Sequence, residues 1–249
     1  MSELKALVPR GLVLNALAAL LCAVVLDSCS RPNAPLARQL SELQSRAGSG
    51  ASSAARIASL EREIAKSRQI VDRTFSASQR LSGLYETLGL QYLNNKMYGM
   101  ALRSFQEAIQ LHPTDPALFY AAGLCQGQMA KVEVDPHLQT TLFTRTAAYY
   151  TTALKLNPNY QDALFALAVV DIFELDSPGQ AQPLLEHLLA LDAKNVDGMF
   201  LLARVYAGEG RAEDAARLYD RIVKSASTQE QRSRAQEDKR TVLERAYGK

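Results

Sequence analysis

The sequence predicts an all-α protein, and three observations predict it. No Val/Ile/Thr-rich run alternates as a strand would. Small residues and aromatics recur instead at helical spacing, from Gly89 and Ala101 through to Ala215 and Tyr219. Prolines that end helices, Pro113 and Pro158, fall just after such stretches. With 47% hydrophobic residues, a chain of 249 residues has material for a substantial core in one or two domains.

Residues 1–28 read as a leader. Lys5 and Arg10 precede an apolar run, Gly11 to Leu26, of sixteen residues interrupted only by Asn15. That is short for a membrane span, which needs about 20 residues, and suits the apolar segment of a signal peptide. The run ends Leu26-Asp27-Ser28-Cys29, which resembles the lipobox of bacterial lipoproteins: an aliphatic residue, two positions, then the cysteine. Asp27 departs from the small or aliphatic residue usual at its place, so an uncleaved anchor and cleavage at another site stay open. The resemblance implies a lipid on Cys29 and a protein lying on a membrane rather than spanning it. Ser30, where Asp would favour inner-membrane retention, then favours the outer membrane over the inner.

Residues 29–52 read as a flexible tether, with two prolines and the run Ala47-Gly48-Ser49-Gly50-Ala51-Ser52-Ser53. Residues 53–80 read as a separate amphipathic helix. Ile57, Leu60, Ile64, Val71 and Phe75 fall near one stripe. That stripe needs a partner: the first repeat, the length of the array, or another copy of the chain.

Residues 82–115 carry the strongest pattern. Tyr85, Leu88, Gly89 and Tyr92 are followed by Ala101, Phe105, Ala108 and Pro113. These spacings resemble the tetratricopeptide repeat, a 34-residue helix-turn-helix unit, with Tyr85 in place of the usual Trp. In such a unit Gly89 and Ala101 allow two helices to cross closely, while Leu88, Tyr92 and Phe105 fill the space between layers. The pattern returns at 161–195 (Leu164, Leu167, Ala168, Ala181, Leu185, Leu188), one residue long, and at 196–229 (Leu202, Ala203, Tyr206, Ala215, Tyr219, Ile222). A further unit at 116–160 has Phe119, Ala122 and Gly123 in its first helix, and Tyr150, Ala153 and Pro158 at the end of its second. About eleven extra residues near 131–141 interrupt it, and Asp135-Pro136 marks them as a loop or turn. The resemblance implies a right-handed α-solenoid of about four repeats over 81–227. Residues 228–249 form a charged capping helix with sparse apolar positions at Ala235, Val242, Leu243 and Ala246.

The family binds partner proteins along a concave groove lined by the first helix of each repeat. Carried over by register, the groove holds Tyr120 and Leu124, then Phe165, Val169, Ile172 and Phe173, then Phe200 and Arg204. The family's charged clamp for a peptide carboxylate is missing, since only Asn94 and Arg204 have suitable chemistry. The groove is therefore expected to be apolar, centred on Phe165 and Phe173. Its cover is the chain's own N-terminal helix, a partner's segment, or a second copy.

Chemistry is sparse. His112, His137 and His187 have no metal-ligand spacing, and no nucleophile elbow, zinc-protease motif or phosphate loop occurs. Gly208-x-Gly210 follows a helix rather than a strand, which makes it a turn. No cofactor is expected, and no enzyme. Cys125 has no partner for an intramolecular disulfide once Cys22 is removed and Cys29 is lipidated. Residues 80–223 carry eleven Lys/Arg against sixteen Asp/Glu, between basic flanks. An acidic array excludes nucleic acid as the expected partner. The expected function is a non-catalytic scaffold of the bacterial cell envelope that faces the periplasm and binds an envelope protein. The alternative is a transporter accessory or carrier holding a small hydrophobic ligand. The sequence assigns no oligomeric state.

Overall fold

The computed structural model describes residues 53–248. The leader, the tether and Cys29 lie outside the described residues. The chain divides between Val71 and Asp72 into two units, and of the first only the helical residues from Ser53 on are described.

Nine helices follow one another among the described residues: α1 Ser53–Asn94, α2 Tyr98–Leu111, α3 Pro116–Lys131, α4 Pro136–Leu156, α5 Gln161–Phe173, α6 Pro178–Leu191, α7 Val196–Gly208, α8 Ala212–Ser225 and α9 Gln229–Tyr247. Contacts run between sequence neighbours, α2 with α3, α3 with α4, and so on to α8 with α9. That is the signature of a solenoid, in which each unit packs only on the next. Three buried clusters follow the same order. Phe105, Leu118 and Ala122 join the first two repeats; Phe143, Tyr150 and Leu167 join the second and third; Leu188, Met199 and Ile222 join the last two.

Local signals place the ends. Asp115 caps α3 by accepting from the Ala117 N–H at 2.9 Å, with Pro116 at the first helical position. Asn195 accepts from the Gly198 N–H at 2.8 Å and opens α7. Three of the four turns between paired helices hold one left-handed residue, Lys96 (φ 60°), Asp176 (φ 47°) and Gly210 (φ 76°), and the turn between α3 and α4 holds none.

The close helix crossings stand as the spacing predicts. Ala101, Phe105 and Ala108 are buried, and so are Ala168 with Leu185 and Ala203 with Tyr219. A Cβ on Gly89 would lie 2.8 Å from Phe105 Cε1, and one on Gly123 would lie 2.5 Å from Tyr150 Cε1. Glycine at these places lets each ring approach the facing helix this closely.

Several expectations change. Residues 53–80 are not a separate helix: they continue without a break into the first repeat, as the 42-residue α1. No proline interrupts Ser78 to Leu84, and Ser82 donates its hydroxyl to the Ala108 carbonyl at 3.1 Å instead of capping a helix end. Their apolar stripe is exposed. Leu88, expected between layers, keeps 42% of its surface in solvent, and Ala246 is also exposed. The insert is not a loop. It is taken up by helix, with α3 at 16 residues against 13 in α5, and α4 at 21 against 14 in α6. Asp135 accepts from the N–H groups of His137 and Leu138, and Pro136 starts α4. Asp-Pro is a helix start as readily as a turn, and here it starts one.

Gly123→Ala is expected to destabilise the fold by about 1–2 kcal/mol, because the added methyl group would overlap the Tyr150 ring and displace it. Gly83→Ala meets no atom within 4 Å and should instead stabilise by up to about 1 kcal/mol through helix propensity. Urea unfolding of both variants checks the pair, and a stabilised Gly123→Ala would refute the close crossing.

Candidate binding cavity

A cavity of about 450 Å³ opens between α3, α4 and α5. Tyr120 and Leu124 of α3, and Phe165 and Val169 of α5, line it as the register predicts. Ile172, Phe173, Phe200 and Arg204 do not line it. Ile172 packs against the buried cluster of the last two repeats. Phe173 is 48% exposed, with the Arg204 guanidinium 4.9 Å above its ring. Phe200 is covered by Arg234 of α9 at 4.7 Å. The apolar surface expected to run across three repeats therefore stops near Val169. Beyond it, two aromatic rings are faced by arginines, an arrangement that suits solvent or a polar partner.

The cavity is not uniformly apolar either. Its floor is apolar and aromatic: Phe143 and Tyr150 from α4, Phe165 and Val170 from α5. Its rim is polar, with Asp162, Glu174 and Asp197 against one cation, Lys131, joined by Gln128, Gln161 and Asn195. Phe143, Thr146 and Tyr150 escaped the sequence reading because it considered only the first helix of each repeat. They lie at i, i+3 and i+7 on α4, a helical stripe that was visible in the sequence. Gly127 opposite them leaves room, since a Cβ there would touch Thr146 Cγ2 at 3.3 Å.

Tyr120 and Tyr150 line the cavity, and Tyr160 packs beside Tyr120. Tyr120 lies 5.7 Å from Tyr150 and 5.2 Å from Tyr160, both tilted. Burial raises the phenol of Tyr120 above its ordinary value, and the nearby Asp162 adds to this. Tyr150 is raised further, mainly by burial. Both stay neutral donors at any physiological pH. Cys125 is fully buried and its thiol is pushed up to about 11 by that burial. It is a core residue with little thiolate character. His187 Nε2 pairs with Asn159 Oδ1 at 3.0 Å, His112 Nδ1 lies 3.8 Å from Asp115, and His137 is exposed. None of the three lines the cavity.

Asp171 is the polar break in α5. It is 4% exposed, and burial raises its carboxyl from 3.8 to about 6. Gln126 occupies the same register position in α3 and is also buried.

Comparisons with known proteins agree with this geometry. Residues 173–237 match the family model described as Tetratricopeptide repeat. A structure of MamA from residue 41 on, from Desulfovibrio magneticus RS-1, is 20% identical, covers 68% of this chain and 97% of that one, and has a TM-score of 0.52. A tetratricopeptide repeat protein from Parabacteroides merdae is 16% identical over 68% of this chain and 61% of that one, with a TM-score of 0.57. Another MamA structure is 15% identical over 68% and 86%, with a TM-score of 0.50. At such identities the likeness shows the fold alone. A comparison with curated proteins finds no match. The fold is that of a helical-repeat scaffold, a class built for protein interaction. Residues 173–237 carry the sequence pattern of the tetratricopeptide repeat family, and the neighbouring helix pairs share the fold of solved tetratricopeptide repeat structures.

Asp171 makes stability depend on pH. Its folded value, about 6, exceeds the ordinary 3.8, so the folded chain takes up the proton first. Its contribution is most favourable below about pH 4 and is lost as pH rises through about 6. Asp171→Asn should therefore flatten the stability change between pH 5 and pH 7.5 by about 1–1.5 kcal/mol. Denaturant unfolding at the two pH values reads it, and an unchanged slope would count against a buried carboxylate.

Proposed function

We propose that this chain is a non-catalytic adaptor of the bacterial cell envelope. It takes an apolar side chain of a partner protein into the cavity between α3 and α5. The cavity carries this reading. Its volume of about 450 Å³ is more than a single large side chain fills, so flanking residues enter too. Its floor offers apolar contact, and its polar rim can fix orientation. A lipid on Cys29 would hold the array at a membrane facing the periplasm, with the outer membrane favoured by Ser30. The apolar run before Cys29 supports that location. Among the described residues no helix is long and apolar enough to cross a membrane.

A second reading keeps the same cavity. Its volume lies within the roughly 300–1,000 Å³ of small-molecule sites, so a carrier of a hydrophobic ligand is the alternative. The two are told apart by what occupies the cavity when the chain is isolated from its cells.

A photoreactive phenylalanine analogue at position 165 should crosslink to a discrete protein in cells, while the same analogue at the exposed Lys155 should not. Phe165→Ser, folded by circular dichroism, should bind that protein at least about tenfold more weakly, the cost of one lost buried anchor. Equal adducts from both positions would sink the adaptor reading, and a co-purifying apolar molecule in native mass spectrometry would favour the carrier. For the anchor, labelled fatty acid should enter the wild-type chain and not Cys29→Ala; equal labelling would remove it.

A further inference from the structure

We propose that the exposed face of α1 is the seam of a parallel two-stranded coiled coil with a second copy of this chain. The first helix of the other repeats needs 13 to 16 residues, whereas α1 has 42. The repeat does not require the additional length. Along it, Ile57, Leu60, Ile64, Val71 and Phe75 each keep between 47% and 65% of their surface in solvent. An apolar row of that kind is a contact surface waiting for a partner.

The period of the row says which partner fits. With Ile57 at position a, the a positions are 57, 64, 71 and 78 and the d positions are 60, 67, 74 and 81. Ile57, Leu60, Ile64, Val71 and Leu81 fall on this 3.5-residue frame, the period that keeps a seam facing another helix through a left-handed supercoil, and Phe75 falls at position e beside it. The a layers carry Ile57, Ile64 and Val71, and the d layers carry Leu60 and Leu81. β-branched residues at a with leucine at d favour two parallel strands over three or four. Polar residues at 67, 74 and 78 limit the affinity.

The flanks agree. In a parallel pair, position g of one heptad meets position e of the next heptad on the other strand. Glu63 at g therefore meets Arg68 of the second copy, and the same contact repeats across the two-fold axis. Glu61, Glu63 and Arg68 have no ion-pair partner among the described residues. Opposite charges at matching places on identical strands are what a self-pairing helix requires. Beyond Leu81 the seam ends, because Tyr85 turns into the buried cluster of the first repeats.

The test uses the full chain with Cys22→Ser and Cys29→Ser. Sedimentation should show a reversible dimer. Ile64→Cys should form a disulfide-linked dimer under mild oxidation, since a-position side chains meet across a parallel two-fold, whereas Arg62→Cys, on the outer face, should not. Glu63→Arg should weaken the dimer about fivefold, because two symmetric contacts turn repulsive, and adding Arg68→Glu should restore it. A monomer at the highest concentration measured, a trimer, equal crosslinking at 62 and 64, or no rescue by the double exchange would each overturn the proposal. Because none of these readouts involves the cavity, the adaptor reading can fail while this one holds, and the reverse.

Discussion

The structure depends on one recurrent contact: a small residue on one helix lying under a large side chain of the next. Gly89 lies under Phe105, and Gly123 under Tyr150, each at a distance that excludes even a methyl group. In the later repeats Ala168 and Ala203 are buried in one cluster with Leu185 and Tyr219. The contact sets the crossing of each helix pair, and the buried clusters then join pair to pair. It also builds the site. Tyr150 lies over Gly123, so its ring faces the cavity and meets Tyr120 there. One packing requirement thus serves both core and binding surface.

The cavity's character comes from two opposed tendencies. Apolar floor residues gain from any group that displaces water from them. The rim keeps Asp162, Glu174 and Asp197 around that floor with only Lys131 to offset them. A purely aliphatic occupant would strand those carboxylates beside a dry surface, whereas a segment with an apolar anchor and polar or basic neighbours satisfies both parts. Asp171 shows the opposite case. Its carboxylate is buried and does not line the cavity, so its ionisation costs stability instead of providing recognition.

Legibility varied along the chain for physical reasons. Glycine, alanine and aromatic spacing revealed the repeats because steric exclusion permits few alternatives at those places. The family pattern is recognised at 173–237, although the 82–115 window carries eight of the motif residues. The helix ends at Pro113 and Pro158 were equally plain. The insert misled because Asp135-Pro136 caps a helix and begins a turn with the same chemistry. The boundary near residue 80 misled because amphipathicity describes a face, and a continuous helix can change the face it presents without changing its backbone.

The candidate site was half legible. Tyr120, Leu124, Phe165 and Val169 followed from register alone. Phe143, Thr146 and Tyr150 required knowing that the lengthened α4 lies beside α5, a fact held in no local spacing. Likewise Phe173 and Phe200 read as groove aromatics until Arg204 and Arg234, the latter some thirty residues away in the chain, were seen to cover them. The sequence by itself determined the helical class, the repeat and the small-residue crossings, since those are local volume and periodicity constraints. Only the tertiary structure decided where the cavity closes, which charges rim it and which apolar face stays open, because these depend on elements brought together from distant parts of the chain.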